Sequence, residues 1–218
     1  MSAPANPLVL RMRPHARSIF AEMSGLARAA GAINLGQGFP DEDGPENIRE
    51  AAIEAISEGR GNQYPPTQGI PELRQAVADH QKRFYDIDVD PDLGVVVTTG
   101  ASEAIQSTLL ALCESGDEVV VFQPWFDLYG AGIDLAGASL VNVPLSAPDF
   151  RPNIDAVRAA VTDRTKIILV NSPHNPTGAV FTRDEMAAIA QIAMDNDLIV
   201  ISDEVYEHLW FDQHRHVP

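Results

Sequence analysis

Five short runs of apolar, largely β-branched residues occur from residue 95 onward, and helical patterns separate them. Within each run nearly every residue is apolar, whereas a strand with one solvated face would alternate apolar and polar residues. Continuous apolar runs are typical of strands that are buried on both faces, in a parallel sheet covered by helices. The pattern therefore predicts an α/β domain with a mainly parallel sheet. The predicted strands are Val95–Thr99, Glu118–Phe122, Ser139–Val143, Lys166–Val170 and Leu198–Ser202.

Two helices with clear signals are predicted between these strands. The first strand runs directly into a helix that places Ile105, Leu109 and Leu112 on one face. Thr182 and Glu185 have the spacing of a capping box, which predicts that a helix begins between the fourth and fifth strands.

Upstream of the first strand the signals are fewer. Pro45 opens a predicted helix that stops at Gly59, and a second helix is predicted from about Pro71 to Phe84. Residues 8–44 show no strong period. We predict an arm and small-domain segment over 1–44 and a large domain over 45–218.

The charge and composition exclude several classes of function. A formal net charge of −16 repels phosphate backbones, so no nucleic-acid partner is expected. The single cysteine, Cys113, cannot form an internal disulfide and is predicted to be a small buried residue. No apolar run is long enough for a membrane span, and the first residues lack the pattern of a secretory signal. The chain is therefore predicted to be cytoplasmic, with no membrane partner.

Polar, aromatic and small residues collect where the predicted strands end. Because ligands of open α/β sheets lie beyond the carboxyl ends of the strands, these residues are candidates for one site. The segments concerned are Thr99–Ser102, Pro124–Asp127, Asn171–Gly178 and Asp203–Tyr206.

These residue types together suit a phosphorylated pyridine. A helix that begins at small residues presents backbone N–H groups to a phosphate. An aromatic ring can stack on the pyridine, a buried carboxylate can keep the ring nitrogen protonated, and an amide and a phenol can bind a ring oxygen. Each feature alone also has an ordinary explanation: Asp203 as a helix cap, Phe126 as core, and the Asn-Pro-Thr-Gly run as a turn. Their order along one edge of the sheet favours the site.

Several ordered motifs resemble those of the class I/II aminotransferases, which are fold-type I enzymes dependent on pyridoxal phosphate (PLP). The resemblance runs from about residue 10 to the end of the sequence. The motif at residues 33–45 resembles the one found in the branch that holds kynurenine/glutamine, methionine and N-succinyldiaminopimelate aminotransferases. The resemblance implies a three-layer α/β/α large domain, an N-terminal arm and part of a small domain. The motifs are INLGQGFPDEDGP (33–45), NQYPPTQG (62–69), TTGASEAI (98–105), SPHNPTG (172–178) and SDEVYEH (202–208).

The resemblance implies a role for each residue that matches a family motif. Those implied to bind PLP are Ala101 and Ser102 at the phosphate, Phe126 on the ring face, Asn175 and Tyr206 at the 3-oxygen, and Asp203 at the pyridine nitrogen. Tyr64 would reach the phosphate of the neighbouring subunit in a homodimer. Gly38 would offer its N–H to the substrate carboxylate, and Trp125 and Tyr129 would line the substrate pocket. Ser102 replaces a tyrosine of some relatives and would leave more room there.

The residues that carry the chemistry in this family have no match in the sequence. The resemblance implies that the Schiff-base lysine lies beyond Pro218, as does the arginine that binds the substrate carboxylate; neither Lys82 nor Lys166 stands at a matching position. Two further strands are implied between the first predicted strand and the fourth. We therefore expect an incomplete sequence, and a 218-residue chain that folds poorly and is inactive alone.

The implied activity moves an amino group from an amino acid, such as N-succinyl-LL-2,6-diaminopimelate, to 2-oxoglutarate. Two alternatives stay open: a PLP-dependent cysteine-conjugate C–S β-lyase, and a non-catalytic module with the same fold. The Gly36-x-Gly38 pair follows no clear strand and does not favour a nucleotide site. His214 and His216 lack a third ligand, so no metal is predicted.

Overall fold

The computed structural model describes residues 7–38, 40 and 42–218, which form two compact units. One unit contains Thr99–Pro218 together with the N-terminal segment up to Ala16, and the other is Arg17–Thr98. The predicted division at residues 44 and 45 stays a prediction. The helices are α1 (Ile19–Ala30), α2 (Glu46–Ser57), α3 (Pro71–Tyr85), α4 (Gly100–Leu112), α5 (Asp127–Ala136), α6 (Ile154–Ala160) and α7 (Arg183–Asp195), with a 3₁₀ helix at Leu10–His15.

A four-stranded parallel sheet forms the centre of the first unit. Its strands are β1 (Glu118–Gln123), β2 (Ser139–Pro144), β3 (Thr165–Asn171) and β4 (Ile199–Asp203), in the order β2-β1-β3-β4. The second to fifth predicted strands and their parallel direction are therefore confirmed. The register pairs Asn171 with Asp203, so the last residues of β3 and β4 lie side by side.

Apolar clusters cover both faces of this sheet, which explains why the strands carry continuous apolar runs. Val120 and Phe122 of β1 belong to one cluster, and Val119 and Val121 belong to the other. Successive side chains of a strand point to opposite faces, so both sets become buried. Helices α6 and α7 contribute Val157, Ile189 and Ile192 to the first cluster, while α4 and α5 contribute Leu109 and Ile133 to the second. The predicted α/β/α layering is confirmed.

The predicted strand at Val95–Thr99 is wrong, because no strand is found there. A β-branched run becomes a strand only where a neighbouring strand can pair with it, and composition does not reveal that neighbour. Here the Val97 N–H donates to the Gln68 carbonyl oxygen at 2.9 Å. The Val97 side chain packs so closely on Gly69 that a Cβ there would come within 2.5 Å of it.

The implied position of two further strands, between the first predicted strand and the fourth, stays a prediction. Thr165–Asn171 already pairs on both sides, with β1 and with β4. A further strand therefore cannot lie beside it, and the edge left open on that side of the described sheet belongs to β4.

The second unit is helical, and its first helix lies within residues 8–44, where no period was recognised. The Ser18 side chain caps α1 by accepting from the Ala21 N–H at 3.2 Å, and Gly31 ends it with a φ of 61°. Both signals are present in the sequence. Helices α2 and α3 confirm the two upstream predictions. In the part of the chain that the structure describes, no helix combines the length and apolar character needed to cross a membrane.

Candidate functional site

The carboxyl ends of β1, β3 and β4 meet the start of α4 around a cavity of about 210 Å³. All three strands are parallel, so the loops that follow them lie at one edge of the sheet. Six residues predicted to bind the cofactor line this cavity: Ala101, Ser102, Phe126, Asn175, Asp203 and Tyr206. Four others complete the lining, namely Ile105, Tyr129, Asn171 and Val205.

Asp203 supplies a buried carboxylate at the end of β4, where the residue is only 7% exposed. Its Oδ2 accepts a hydrogen bond from the Tyr129 hydroxyl at 2.5 Å, and its Oδ1 accepts from the Val205 N–H at 3.3 Å. Among the described residues no lysine, arginine or histidine forms an ion pair with it. A buried carboxylate is stable only when it is hydrogen-bonded or paired with a positive group. Asp203 satisfies this condition through its two hydrogen bonds, and its remaining lone pairs are available to a further N–H donor in the cavity.

Tyr129 lies on α5 and is buried beneath Asp203. Burial raises the pKa of its phenol far above the ordinary value, and the hydrogen bond to Asp203 raises it further. The phenol therefore remains a hydrogen-bond donor at neutral pH. Sequence reasoning assigned Tyr129 to the substrate pocket and missed this bond.

Asn171, which lies in a predicted site segment but was assigned no role from the sequence, links two loops of the site. Its side-chain Nδ2 donates to the Asp203 carbonyl oxygen at 2.9 Å, and its Oδ1 accepts from the Asn175 N–H at 2.7 Å. One buried amide thus fixes the backbone of the residues predicted to bind the ring nitrogen and the 3-oxygen. Its place directly before the Ser-Pro-His-Asn motif, at the end of an apolar run, was the available signal.

The start of α4 meets the requirements of an anion site. Gly100 has a φ of 76°, which residues with a Cβ rarely adopt, and it lets the chain turn directly into the helix. The side chain of Thr99 makes no cap to the first turn, and Glu103 instead accepts from the Thr99 N–H. The first N–H groups of a helix have no partner within the helix, and Ala101 and Ser102, which supply two of them, line the cavity.

The two aromatic residues after β1 have different surroundings. Phe126 lines the cavity and meets the Tyr129 ring edge-to-face, with centroids 5.9 Å apart. Trp125 does not line it; its indole N–H donates to Asn142 Oδ1 at 2.7 Å. The Trp125 ring covers Gly130, where a Cβ would come within 2.9 Å of it. Phe126 therefore lies at the cavity and Trp125 does not, and the ring-stacking role of Phe126 and the substrate role of Trp125 stay predictions.

Gly38 and Tyr64 both belong to the second unit. Tyr64 is fully exposed, and a Cβ added at Gly38 would meet no atom within 4 Å. Their predicted roles toward the substrate carboxylate and the neighbouring subunit's phosphate stay predictions.

The family model for class I and II aminotransferases matches residues 30–218. The chain belongs to this family. Aminotransferases of class I and II depend on PLP. The cavity described above fits that group, because it offers a buried carboxylate without an ion-pair partner among the described residues, an aromatic ring and the first turn of a helix.

Two named relatives match almost the whole of this chain. The probable N-succinyldiaminopimelate aminotransferase of Mycobacterium tuberculosis is 53% identical over 96% of the chain, and the methionine aminotransferase of Escherichia coli is 39% identical over 97%. The chain spans about half the length of these relatives, 53% and 55% respectively.

Solved structures of aminotransferases match the fold. The structure of N-succinyldiaminopimelate aminotransferase from Mycobacterium tuberculosis has a TM-score of 0.92 at 52% identity, covering 97% of this chain and 55% of that one. The Thermus thermophilus aspartate aminotransferase with maleate has a TM-score of 0.88 at 35% identity, covering 97% and 56%. The predicted fold-type I architecture is confirmed.

Proposed function

We propose that the protein containing this chain is a PLP-dependent aminotransferase that transfers an amino group from an amino acid to 2-oxoglutarate. The observation that carries the proposal is the buried Asp203 carboxylate, which lines one cavity together with the start of α4 and the aromatic ring of Phe126. N-succinyl-LL-2,6-diaminopimelate is the proposed amino donor, supported by the relative of that name at 53% identity.

Asp203 is proposed to hold the proton on the pyridine nitrogen of the cofactor. When bound, PLP withdraws electrons from the substrate carbon, and a protonated ring nitrogen strengthens that withdrawal. Tyr129 and the Val205 N–H keep the carboxylate in place, since each occupies one of its oxygen atoms. The remaining acceptor capacity of the carboxylate is available to the ring.

The other cavity residues are proposed to orient the cofactor. The N–H groups of Ala101 and Ser102 bind the phosphate, and Phe126 stacks on the ring. Asn175 and Tyr206 donate hydrogen bonds to the 3-oxygen. Tyr64 is proposed to serve the site of a second subunit in a homodimer, and the cytoplasmic location stays a prediction.

Neither lysine of residues 1–218 is suited to attack the cofactor. Lys166 lies near the start of β3 and pairs with Asp117, whereas the site residue Asn171 ends the same strand. Five residues of strand separate their Cα atoms by about 17 Å. Lys82 forms ion pairs with Asp86 and Asp88 on the second unit. We therefore expect that this chain alone transfers no amino groups, as measured by incubating it with PLP, an amino acid and 2-oxoglutarate.

The test of the cofactor site compares Asp203→Asn with Asp155→Asn in the full-length protein. Removing one partner of a buried pair lowers the affinity for PLP on the order of 100-fold. Asp155 lies on the surface of α6, beside Arg158, and its change to asparagine is expected to leave the affinity unchanged. Binding is measured by titrating the apoenzyme with PLP. Equal affinities in the two variants would contradict the proposal.

The donor is tested by a substrate screen with 2-oxoglutarate as the acceptor. We expect a higher kcat/KM for N-succinyl-LL-2,6-diaminopimelate than for kynurenine, methionine or glutamine. A preference for one of the other three donors would remove the donor assignment and leave the cofactor site standing.

A further inference from the structure

His174 is a buried histidine that no role above uses, although it precedes Asn175 directly. The residue is 3% exposed, and its ring stacks on Phe181 with centroids 6.2 Å apart and planes 12° from parallel. Its Nδ1 lies 2.8 Å from Thr177 Oγ1. The imidazole is thus fixed by stacking on one face and by a hydrogen bond at Nδ1.

The backbone of His174 is also fixed. Its N–H donates to the Ala179 carbonyl oxygen at 2.8 Å, and its own carbonyl oxygen accepts from the Gly178 N–H at 2.7 Å. These bonds close the loop 174–179 on itself, so the imidazole and Asn175 belong to one rigid turn.

The ring also reaches the end of β1 and the segment that follows it, since its stacking partner Phe181 meets the Phe122 ring of β1 edge-to-face, with centroids 5.5 Å apart. Burial lowers the pKa of His174, and hydrogen bonding to the backbone of Phe122 and Pro124 opposes this shift. A carbonyl group can only accept, so the ring nitrogen facing it carries a hydrogen, and the Nδ1 of a neutral ring accepts from the Thr177 hydroxyl. The Thr177 oxygen in turn accepts from the Ala179 N–H at 3.3 Å, which leaves its hydrogen for the imidazole.

These contacts join two loops that carry different parts of the proposed cofactor site. The loop after β3 carries Asn175, and the segment after β1 carries Phe126, which lines the same cavity. No strand pairing joins these loops beyond the ends of β1 and β3. The alignment between Asn175 and the ring plane set by Phe126 therefore depends on side chains such as His174.

We propose that His174 is a positioning residue that connects the loop of Asn175 to the segment of Phe126 and so aligns the Asn175 amide with the 3-oxygen of the cofactor. The inference rests on the proposed function, because it requires PLP in this cavity. His174 does not line the cavity, so under this proposal a residue outside the lining influences the protonation of the bound cofactor.

The test measures the pH titration of the visible absorption band of PLP bound to the full-length protein. A hydrogen bond to the 3-oxygen favours its deprotonated form, so a weakened bond moves the midpoint upward. We expect His174→Phe, which keeps the stacking and removes both polar contacts, to shift the midpoint upward by about 0.5–1 pH unit. Thr177→Val is expected to shift it in the same direction by less.

A double-variant cycle with Asn175→Ala separates positioning from a general loss of structure. If His174 acts through Asn175, adding His174→Phe to Asn175→Ala causes no further shift. Additive shifts would overturn the proposal. Ile192→Ala, a buried position on α7 in the same apolar cluster as Phe181, serves as the structural control and is expected to lower thermal stability with an unchanged midpoint.

Two outcomes distinguish this inference from the proposed function. A wild-type protein that binds no PLP would end the proposed function. A wild-type protein that binds PLP, together with a His174→Phe variant that is less stable but titrates as the wild type does, would end only the positioning role.

Discussion

The two units differ in where their apolar side chains lie. In the unit that contains the sheet, two clusters bury large residues such as Ile168 and Ile133 completely. Among the described residues of 17–98, only Arg74, Ala78 and Val95 are buried. Helix α2 has an amphipathic pattern, yet its Ile48 and Ile56 are exposed. An amphipathic period thus predicts a helix even where the described chain supplies no element that covers its apolar face. The candidate cavity lies in the other unit, in which helices and strands bury one another.

The comparison is tested most directly by removing equal volumes from the two units. Ile168→Ala on β3, where the side chain is 0% exposed, is expected to lower the free energy of unfolding by about 2–5 kcal/mol. Ile56→Ala on α2, where the residue is 73% exposed, is expected to change it by less than about 0.5 kcal/mol. Urea denaturation of the full-length protein measures both. An equal cost would break the comparison and show that another part of the protein covers α2.

The second test concerns the buried hydrogen bond between Tyr129 and Asp203. Tyr129→Phe leaves the carboxylate short of a donor and is expected to cost about 1.5–3 kcal/mol of stability at pH 7. Tyr85→Phe, a half-buried tyrosine of the second unit, serves as the matched control and is expected to cost much less.

The pH dependence of the same bond has a definite sign. The folded pKa of Tyr129 is raised, so the stability that it contributes is fully present below the unfolded pKa near 10 and is lost as the pH rises through the folded value. The difference between wild type and Tyr129→Phe should therefore be constant from pH 7 to 9 and shrink above pH 10. A difference that shrinks as the pH falls from 9 to 7 would contradict this assignment.

The smallest expected effect compares two helix caps. Thr182 caps α7, which packs Ile189 and Ile192 on the sheet, and Ser18 caps α1, in which no residue is buried. Each change to alanine removes about 1 kcal/mol from its helix. Thr182→Ala is expected to lower the global free energy of unfolding, whereas Ser18→Ala is expected only to speed amide exchange within Ile19–Ala30. Equal global losses would mean that α1 is as tightly coupled to the fold as α7.

Sequence patterns predicted the strands and helices whose apolar residues are the ones that the fold buries. The continuous apolar runs predicted four parallel strands because burial on both faces removes polar residues from them. The same reasoning failed at Val95–Thr99, since a run of valines does not specify the strand with which it must pair. Helix α1 was missed although Ser18 and Gly31 marked its two ends.

The lining of the site followed from motifs, but its internal bonds did not. Ala101, Ser102, Phe126, Asn175, Asp203 and Tyr206 were predicted to converge, and the structure places all six around one cavity. The bond from Tyr129 to Asp203 joins residues 74 positions apart, and the bond from Asn171 to Asp203 joins residues 32 apart. Such partners depend on the order of the strands in the sheet, which a single sequence does not specify.

The Asn171 bond to the Asp203 carbonyl has a consequence for how the sheet assembles. If β4 slipped by one residue along β3, its side chains would exchange faces, and Ser202 or Glu204 would take the place of Asp203. The side-chain Nδ2 of Asn171 would then meet a different carbonyl, and the bond that now holds Asp203 beside it would be lost. The register between β3 and β4 thus decides which residue of β4 supplies the side chain that lines the cavity.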